Sequence, residues 1–189
     1  MASCLAAMEI ACLPMLLKLK RTPGIYLVGF MASGKTTIGR MLADELGWSF
    51  ADMDEDIEAA EGVSIAKIFD TRGEEEFRRI EQAALRQRVS EVERGKPMVL
   101  ALGGGAFVQE SSHDILEDNG VTIWLDCPFE TVCSRVGETA DRPLARDPAR
   151  FRQLYEDRRA AYAKADYRIE VSSDDPVVMV AAIMKLPIF

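Results

Sequence analysis

The stretch Gly29-Phe-Met-Ala-Ser-Gly34-Lys35-Thr36 decides which fold the sequence predicts. It fits the pattern G-x-x-x-x-G-K-[ST], in which the backbone N–H groups of a glycine-rich loop surround phosphate groups. The motif follows a short apolar run at residues 25–28 and opens a segment, residues 35–46, whose apolar positions recur at helical spacing. A strand, a loop and a helix in this order bring the positive end of the helix to an anion. The sequence therefore predicts a phosphate loop that binds a nucleoside triphosphate.

This loop supplies most of the predicted nucleotide contacts. Lys35 is expected to place its charge on the terminal phosphates, and the hydroxyl of Thr36 is placed to ligate Mg²⁺. Gly29 and Gly34 permit a close approach of the backbone that a Cβ would block. The other loop residues predicted to contact the nucleotide are Met31, Ala32, Ser33 and Thr37.

Short apolar runs alternate with longer helical patterns along the rest of the chain. Strands are predicted at residues 25–28, 48–51, 98–102, 121–125 and 168–171, and the clearest helices at 35–46 and 74–94. Nearly continuous apolar strands that alternate with helices indicate a parallel sheet covered on both faces. We therefore predict one α/β domain over residues 25–189, a three-layer sandwich with a five-stranded parallel sheet, after an N-terminal extension, residues 1–24, to which we assign no role.

Composition excludes several classes of protein. The formal net charge of −8 argues against binding to nucleic acid or to an anionic membrane, and no apolar run approaches the ~20 residues that span a bilayer. The four cysteines form no CxxC pair, which indicates free thiols in a reducing cytoplasm. In residues 1–24 the basic residues follow the apolar part, the reverse of a secretory signal. A cytoplasmic protein is expected.

Two carboxylates, Asp52 and Asp54, end the second predicted strand. Side chains two apart on a strand point to the same face, so both are expected to enter one cleft. One carboxylate can then hold water on Mg²⁺ while the other accepts a proton from an attacking hydroxyl. The alternative is that one of them caps a helix that begins near Glu55.

A basic segment stands out in this acidic chain. Residues 135–168 contain nine Lys or Arg against six Asp or Glu, and residues 137–149, which include Pro143 and Pro148, are the least regular part of the domain. Such a segment either binds an anion or forms a solvated face.

Taken together, these motifs resemble the shikimate kinase family. The resemblance covers residues 25 to about 183 and rests on the loop at 29–39, Asp-Met-Asp at 52–54, Gly-Glu-Glu-Glu-Phe-Arg-Arg-Ile-Glu at 73–81, Ala-Leu-Gly-Gly-Gly-Ala at 101–106 and Arg-Pro-Leu at 142–144. The Phe-Arg-x-x-Glu run and the triple glycine are more specific to the family than the loop. The resemblance implies a phosphate-loop kinase fold with a mobile lid at about residues 137–149. It also implies an enzyme that phosphorylates shikimate with MgATP to give shikimate 3-phosphate.

The resemblance assigns roles to the charged residues. Asp54 would bind the substrate hydroxyls and act as the catalytic base, and Asp52 would belong to the Mg²⁺ shell. Arg78, oriented by Glu81, would bind the substrate carboxylate, because a guanidinium presents paired donors that fit a carboxylate. The alternative for Arg78 is a surface ion pair with Glu74, four residues earlier on a helix.

Further roles follow from the same resemblance. Gly103, Gly104 and Gly105 would bring backbone N–H groups against the substrate; the alternative is a plain flexible turn. Arg142 would be the catalytic lid arginine that closes over the transferred phosphate, and Arg135 would pack against adenine. The alternative for both arginines is a solvated surface charge.

Two neighbouring arginines compete for the second contact with the substrate carboxylate. The family stretch is Arg-x-Pro-Leu-Tyr, whereas this chain has Arg158-Arg-Ala-Ala-Tyr162 and lacks the proline. Arg158 matches the family arginine, and Arg159 is the alternative.

The predicted partners are ATP and shikimate, bound by a monomer. One competing hypothesis is a kinase of another small molecule, such as gluconate, which would share the fold and the loop. Another is a non-catalytic ligand sensor of the kind found fused to DNA-binding regulators. The carboxylate-binding arginines favour shikimate, and the presence of Lys35, Asp52 and Asp54 favours catalysis.

Overall fold

The computed structural model of the protein describes residues 24–137 and 147–189. It contains a five-stranded parallel sheet with the strand order β2-β3-β1-β4-β5. The strands are β1 (Gly24–Val28), β2 (Ser49–Asp52), β3 (Met98–Ala101), β4 (Val121–Asp126) and β5 (Tyr167–Glu170). Each predicted strand is confirmed to within one residue at either end. The extension up to residue 23 and most of the predicted lid, including Arg142, lie outside the described residues.

Helices connect the strands. They are α1 (Lys35–Leu46), α2 (Met53–Glu61), α3 (Ile65–Glu93), α4 (Glu110–Leu116), α5 (Phe129–Gly137), α6 (Pro148–Tyr162) and α7 (Pro176–Ile183), with a short 3₁₀ turn at Ala106–Val108. The helix predicted at 35–46 is confirmed. The helix predicted at 74–94 is the second part of α3, which begins earlier and kinks at Gly73, where φ is 82° and ψ is 172°.

The sheet is covered on both faces, as the apolar strands predicted. Every residue of β1, β3 and β4 is buried. The edge strands β2 and β5 are partly exposed. The three-layer arrangement with helices on both sides of a parallel sheet follows from this burial. No helix in the described part of the chain is long and apolar enough to span a bilayer.

The carboxyl ends of the strands meet at one edge of the sheet. The chain leaves β1 through the phosphate loop, β2 through Asp52, β3 through the glycines at 103–105 and β4 through Asp126. Because β1 lies between β3 and β4, these exits surround the point where open α/β sheets bind ligands.

Candidate active site

A cleft of about 870 Å³ opens at this edge of the sheet. Its volume suits a small-molecule ligand. The predicted ATP, metal and substrate residues that line it are Met31, Ala32, Gly34, Lys35, Thr36, Thr37, Asp52, Asp54, Gly104 and Arg135. We call the part formed by residues 29–37 the phosphate-loop end. Asp54 and Gly104 line the cleft where it adjoins the loop at residues 103–105, and Arg78 and Arg158, which are not lining residues, approach that loop from behind it. We call this group of residues the triple-glycine end.

The phosphate loop has the geometry that its glycines predict. Gly29 and Gly34 have φ values of 145° and 94°, and a Cβ on Gly29 would lie 2.7 Å from the carbonyl oxygen of Leu125. Gly34 is the N-cap of α1, so the first N–H groups of that helix face the cleft side of the loop. Lys35 Nζ donates to the carbonyls of Gly29 and Phe30 at 3.0 and 2.9 Å. The ammonium is therefore held against the loop that would cradle the phosphates.

Asp52 connects this loop to α2. Its Oδ2 accepts a hydrogen bond from Thr36 Oγ1 at 2.6 Å, and its Oδ1 accepts one from the backbone N–H of Asp54 at 3.0 Å. The strand thus ends at Asp52, which caps α2, and Asp54 lies in the first helical turn. The prediction that both carboxylates share one face of a strand is wrong, because capping the helix satisfies an N–H group that would otherwise lack a partner. Asp54 is exposed, but it faces the same cleft as Lys35.

Thr36 and Asp52 fit a magnesium ion. Together they offer a hydroxyl and a carboxylate 2.6 Å apart, and oxygen atoms are the ligands that Mg²⁺ prefers. Across residues 24–137 and 147–189, no group of three or more His, Cys, Asp or Glu side chains is placed to hold a metal. Mg²⁺ sites commonly use one or two protein oxygens and are completed by water and substrate phosphates.

At the triple-glycine end, each glycine lies against a different predicted site residue. A Cβ on Gly103 would be 2.6 Å from Asp54 Oδ1, and one on Gly105 would be 2.6 Å from Arg78 Nη1. A Cβ on Gly104 would be 3.2 Å from Arg158 Nη1. A side chain at Gly103 or Gly105 would displace the end of Asp54 or Arg78, and one at Gly104 would crowd Arg158. The three glycines let side chains from α2, α3 and α6 converge on one loop.

Arg78 has two carboxylate partners. Its Nη1 donates to Glu81 at 2.7 Å, and its Nη2 donates to Glu74 at 3.2 Å. Glu74 is largely exposed, whereas Glu81 is 3 % exposed. The predicted orientation by Glu81 and the alternative pair with Glu74 thus coexist on one guanidinium.

The charges at this end influence one another. Burial raises the pKa of Glu81 above its usual value, and the negative charge of Asp54 raises it further, whereas the positive charges of Arg78 and Arg158 lower it. Nε of Arg78 is buried without a hydrogen-bond partner among the described residues. The end therefore combines two guanidinium groups with two carboxylates around a backbone loop, an arrangement suited to a substrate that carries both a carboxylate and hydroxyl groups.

The structure separates the two competing arginines. The Arg158 guanidinium lies against Gly104 and 5.6 Å from the ring of Phe30. Arg159 points elsewhere and donates to both oxygens of Asp126 at 2.6 and 3.1 Å. Near them, burial raises the pKa of Tyr162 to about 12, so its hydroxyl stays protonated and donates to the carbonyl of Gly104 at 2.5 Å.

Arg135, on α5, lines the phosphate-loop end. Its Nη1 donates to the carbonyl of Ala32 at 3.0 Å, and its Nη2 donates to Asp174 at 2.6 Å. Ala32 has a φ of 59°, a left-handed conformation that a residue with a Cβ seldom adopts. Sequence reasoning missed the cleft residues that follow β5, which are Val171, Ser173, Asp174, Pro176 and Met179. The one available signal was their position after the carboxyl end of a predicted strand.

Comparison with known proteins identifies the family. The family model for shikimate kinase matches residues 31–186. The chain belongs to the shikimate kinase family. The shikimate kinase of Persephonella marina (strain DSM 14350 / EX-H1) is 38% identical over 161 residues, which are 85% of this chain and 96% of that protein. The structure of shikimate kinase from Acinetobacter baumannii in complex with shikimate has a TM-score of 0.81 at 35% identity, covering 90% of this chain and 96% of that one.

These matches confirm the predicted fold and the predicted ATP-dependent phosphotransferase of the shikimate kinase type. A gluconokinase from Sinorhizobium meliloti 1021 also matches, with a TM-score of 0.53 at 16% identity over 85% of this chain and 89% of that one. Identity at that level shows a shared fold alone, so it lends no support to the competing gluconate hypothesis.

Proposed function

We propose that the cleft binds ATP at the phosphate-loop end and shikimate at the triple-glycine end. There the γ-phosphoryl group of ATP passes to a shikimate hydroxyl, and the products are shikimate 3-phosphate and ADP. In this step the hydroxyl oxygen bonds to the γ-phosphorus and the bond from that phosphorus to the β–γ bridging oxygen breaks. The observation that carries the proposal is the convergence of Asp54, Arg78 and Arg158 on residues 103–105, beside the cleft that Lys35, Asp54 and Gly104 line.

The phosphate-loop end neutralises and orients the phosphates. Phosphoryl transfer requires little covalent chemistry of the protein, so positioning and charge neutralisation supply most of the catalysis. Lys35, held at the loop by two carbonyl groups, is the charge nearest the terminal phosphates. Thr36 and Asp52 would hold Mg²⁺, which would add positive charge on the phosphate oxygens. The remaining loop N–H groups, from residues 29–37, would bind phosphate oxygens directly.

Asp54 holds the attacking hydroxyl and receives its proton. The backbone of Asp54 is fixed by the cap from Asp52, and its carboxylate packs on Gly103. Both restraints keep the carboxylate at the boundary between the two ends of the cleft, where the hydroxyl and the γ-phosphate would meet. A positioned base of this kind contributes typically 10²–10⁴-fold to the rate.

Arg78 and Arg158 bind the carboxylate of shikimate. They approach neighbouring glycines, Gly105 and Gly104, from two different helices. Two guanidinium groups on a carboxylate fix both its position and its plane, because each presents paired donors. Two further arginines complete the proposal: Arg135 packs on adenine, and Arg142 adds charge over the transferred phosphate.

The test is an ADP-release assay with shikimate, quinate and gluconate offered in parallel. We expect shikimate to be the preferred acceptor. Asp54→Asn is expected to lower kcat about 10²–10⁴-fold while the KM for ATP changes little, because the substitution removes the base and not the phosphate contacts. Glu55→Gln is the matched control, since Glu55 is the next residue and forms only an exposed ion pair with Arg40 in the structure. Near-normal kcat for Asp54→Asn would remove Asp54 from catalysis, and a preference for gluconate would overturn the substrate assignment.

A further inference from the structure

A second buried carboxylate lies outside the proposed active site. Asp126 ends β4, and only 4 % of its surface is exposed. Arg159 of α6 donates to both of its oxygens, at 2.6 and 3.1 Å, and Arg168 of β5 donates to Oδ2 at 2.8 Å. Both guanidinium groups lie 5.1 Å from the ring of Trp124. Nothing in the proposed reaction uses this cluster, although its central contact, Arg159, is the neighbour of Arg158.

Adjacent positions on a helix couple these two arginines. Successive residues of an α-helix are turned by about 100°, so their side chains leave the helix in different directions. In α6, Arg158 reaches Gly104 while Arg159 reaches Asp126. Any rotation or sliding of α6 therefore shifts the backbone of both residues, and a contact that holds Arg159 to the sheet also sets the position from which the Arg158 side chain extends.

Asp126 is a rigid point of attachment. It belongs to a strand paired on both sides, with β1 and β5, and all six residues of that strand are buried. A bidentate arginine–carboxylate pair constrains the angle between its partners as well as their distance. Tyr155, one turn earlier on α6, strengthens the attachment: its hydroxyl accepts from Arg159 at 2.8 Å and donates to the carbonyl of Cys127 at 2.8 Å.

We propose that Arg159 and Asp126 are positioning residues for the phosphorylation of shikimate. Their ion pair sets the orientation of α6 on the sheet, and this orientation brings Arg158 to the substrate carboxylate at Gly104. The inference rests on the carboxylate-binding role of Arg158 in the proposed function. It gives the two neighbouring arginines separate tasks, since one contacts the substrate and the other contacts the sheet.

The experiment measures the preference for a carboxylate. For each variant, kcat/KM is determined for shikimate and for the analogue whose carboxylate is reduced to a primary alcohol, with ATP saturating. Arg158→Met is expected to lower the ratio of the two values most. Arg159→Met is expected to raise the KM for shikimate about tenfold and to lower the ratio to a similar degree, because displacing a binding group by about 1 Å is costly. The KM for ATP should not change.

Three further variants separate positioning from general loss of structure. Arg159→Lys keeps the charge but cannot form the two-pronged contact, so it should give an intermediate ratio. Arg152→Met is the matched control, because Arg152 lies on the same helix and its exposed side chain contacts α5 instead of the sheet, 3.6 Å from Glu130 and 4.1 Å from the centre of the Phe129 ring; its ratio should equal that of the wild type. In the double variant Arg158→Met with Arg159→Met, the ratio should fall no further than in Arg158→Met alone, since Arg159 acts through Arg158.

The outcomes distinguish the two proposals. An unchanged ratio in Arg158→Met would show that Arg158 does not bind the carboxylate, and the proposed function would fail at that residue. A lowered ratio in Arg158→Met together with a wild-type ratio in Arg159→Met would overturn the positioning role alone. Additive losses in the double variant, or a greater loss in Arg159→Met than in Arg158→Met, would also overturn it. Should Arg159→Met fail to fold, Arg159→Lys decides the question, since a wild-type ratio there contradicts the inference.

Discussion

The two ends of the cleft are built in different ways. The phosphate-loop end comes almost entirely from one stretch, residues 29–37, whose conformation depends on two glycines and on the start of α1. The triple-glycine end is assembled from α2, α3, the loop after β3 and α6, and residues 54 and 158 at its limits are far apart in the chain. Local backbone geometry therefore specifies the first end, whereas the packing of distant elements specifies the second.

This difference bears on specificity. A gluconokinase shares the fold of this chain at 16% identity, so the scaffold tolerates wide changes in sequence. A self-contained loop can bind the same phosphates in many proteins, because it depends on few contacts elsewhere. The triple-glycine end changes whenever a helix shifts, so it is the part of the molecule in which we expect selectivity for the acceptor to reside.

The largest expected effect tests the phosphate-loop end. Lys35→Met removes the charge held by the carbonyls of Gly29 and Phe30, and we expect it to lower kcat/KM for ATP about 10³-fold or more. Binding of shikimate to the ATP-free protein, measured by calorimetry, should be unchanged, because the Lys35 ammonium is held by carbonyl groups of the phosphate loop. Weakened binding of shikimate in this variant would show that the two ends are not independent.

The same division explains what the sequence predicted. The strands, α1 and the phosphate loop are encoded by local patterns of apolar residues and glycines, and the structure confirms them. The arrangement at Asp52 and Asp54 was predicted wrongly, because a strand pattern and a helix cap compete over the same few residues and the cap determines where β2 ends. The kink of α3 depends on one residue, Gly73, with a positive φ.

The candidate site shows the same limit. The resemblance to a family supplied Arg78, Arg158 and the triple glycine, but not the contact that each glycine makes. Apart from the resemblance, nothing in the local sequence distinguishes Arg158 from Arg159, because both are basic residues in one helix. What separates them is Asp126, which lies on a strand that packs beside that helix only in the folded protein. Contacts such as that between Arg159 and Asp126 join residues far apart in the chain, so no local sequence pattern predicts them.

A smaller change, in the KM for shikimate, is expected at the triple-glycine end, where two adjacent arginines of α3 can be compared. Arg78 lies against Gly105 and pairs with the buried Glu81, whereas Arg79 is 73% exposed and pairs with Glu76. Arg78→Met should raise the KM for shikimate about a hundredfold with little change in the KM for ATP, because a buried charge-paired contact is worth about 2–5 kcal/mol. Arg79→Met is the matched control and should match the wild type in steady-state kinetics. Equal effects of both substitutions would mean that Arg78 acts through helix stability and not through the substrate.

The smallest expected effect concerns the stability of the triple-glycine end. Burial raises the pKa of Glu81, so the folded protein favours the protonated carboxyl more than the unfolded chain does. This contribution to stability is fully present below the ordinary pKa of a glutamate, about 4.3, and is lost as the pH rises through the higher pKa of the folded state. Glu81→Gln removes the titration, so the free energy of unfolding of the variant relative to the wild type should increase with pH above about 4.3 and then level off.

The measurement is urea unfolding at a series of pH values, with Glu75→Gln, an exposed position on the same helix, as the control that should not show this increase. At neutral pH the Glu81→Gln variant should bind shikimate more weakly, because Arg78 loses the charged partner that lies 2.7 Å away. The Glu81→Gln protein would then unfold less readily at neutral pH but bind shikimate more weakly. This is the pattern expected where a buried charge serves ligand binding at the expense of folding. A difference in unfolding free energy that falls as the pH rises would contradict this assignment, since it would mean that the pair with Arg78 outweighs the burial of Glu81.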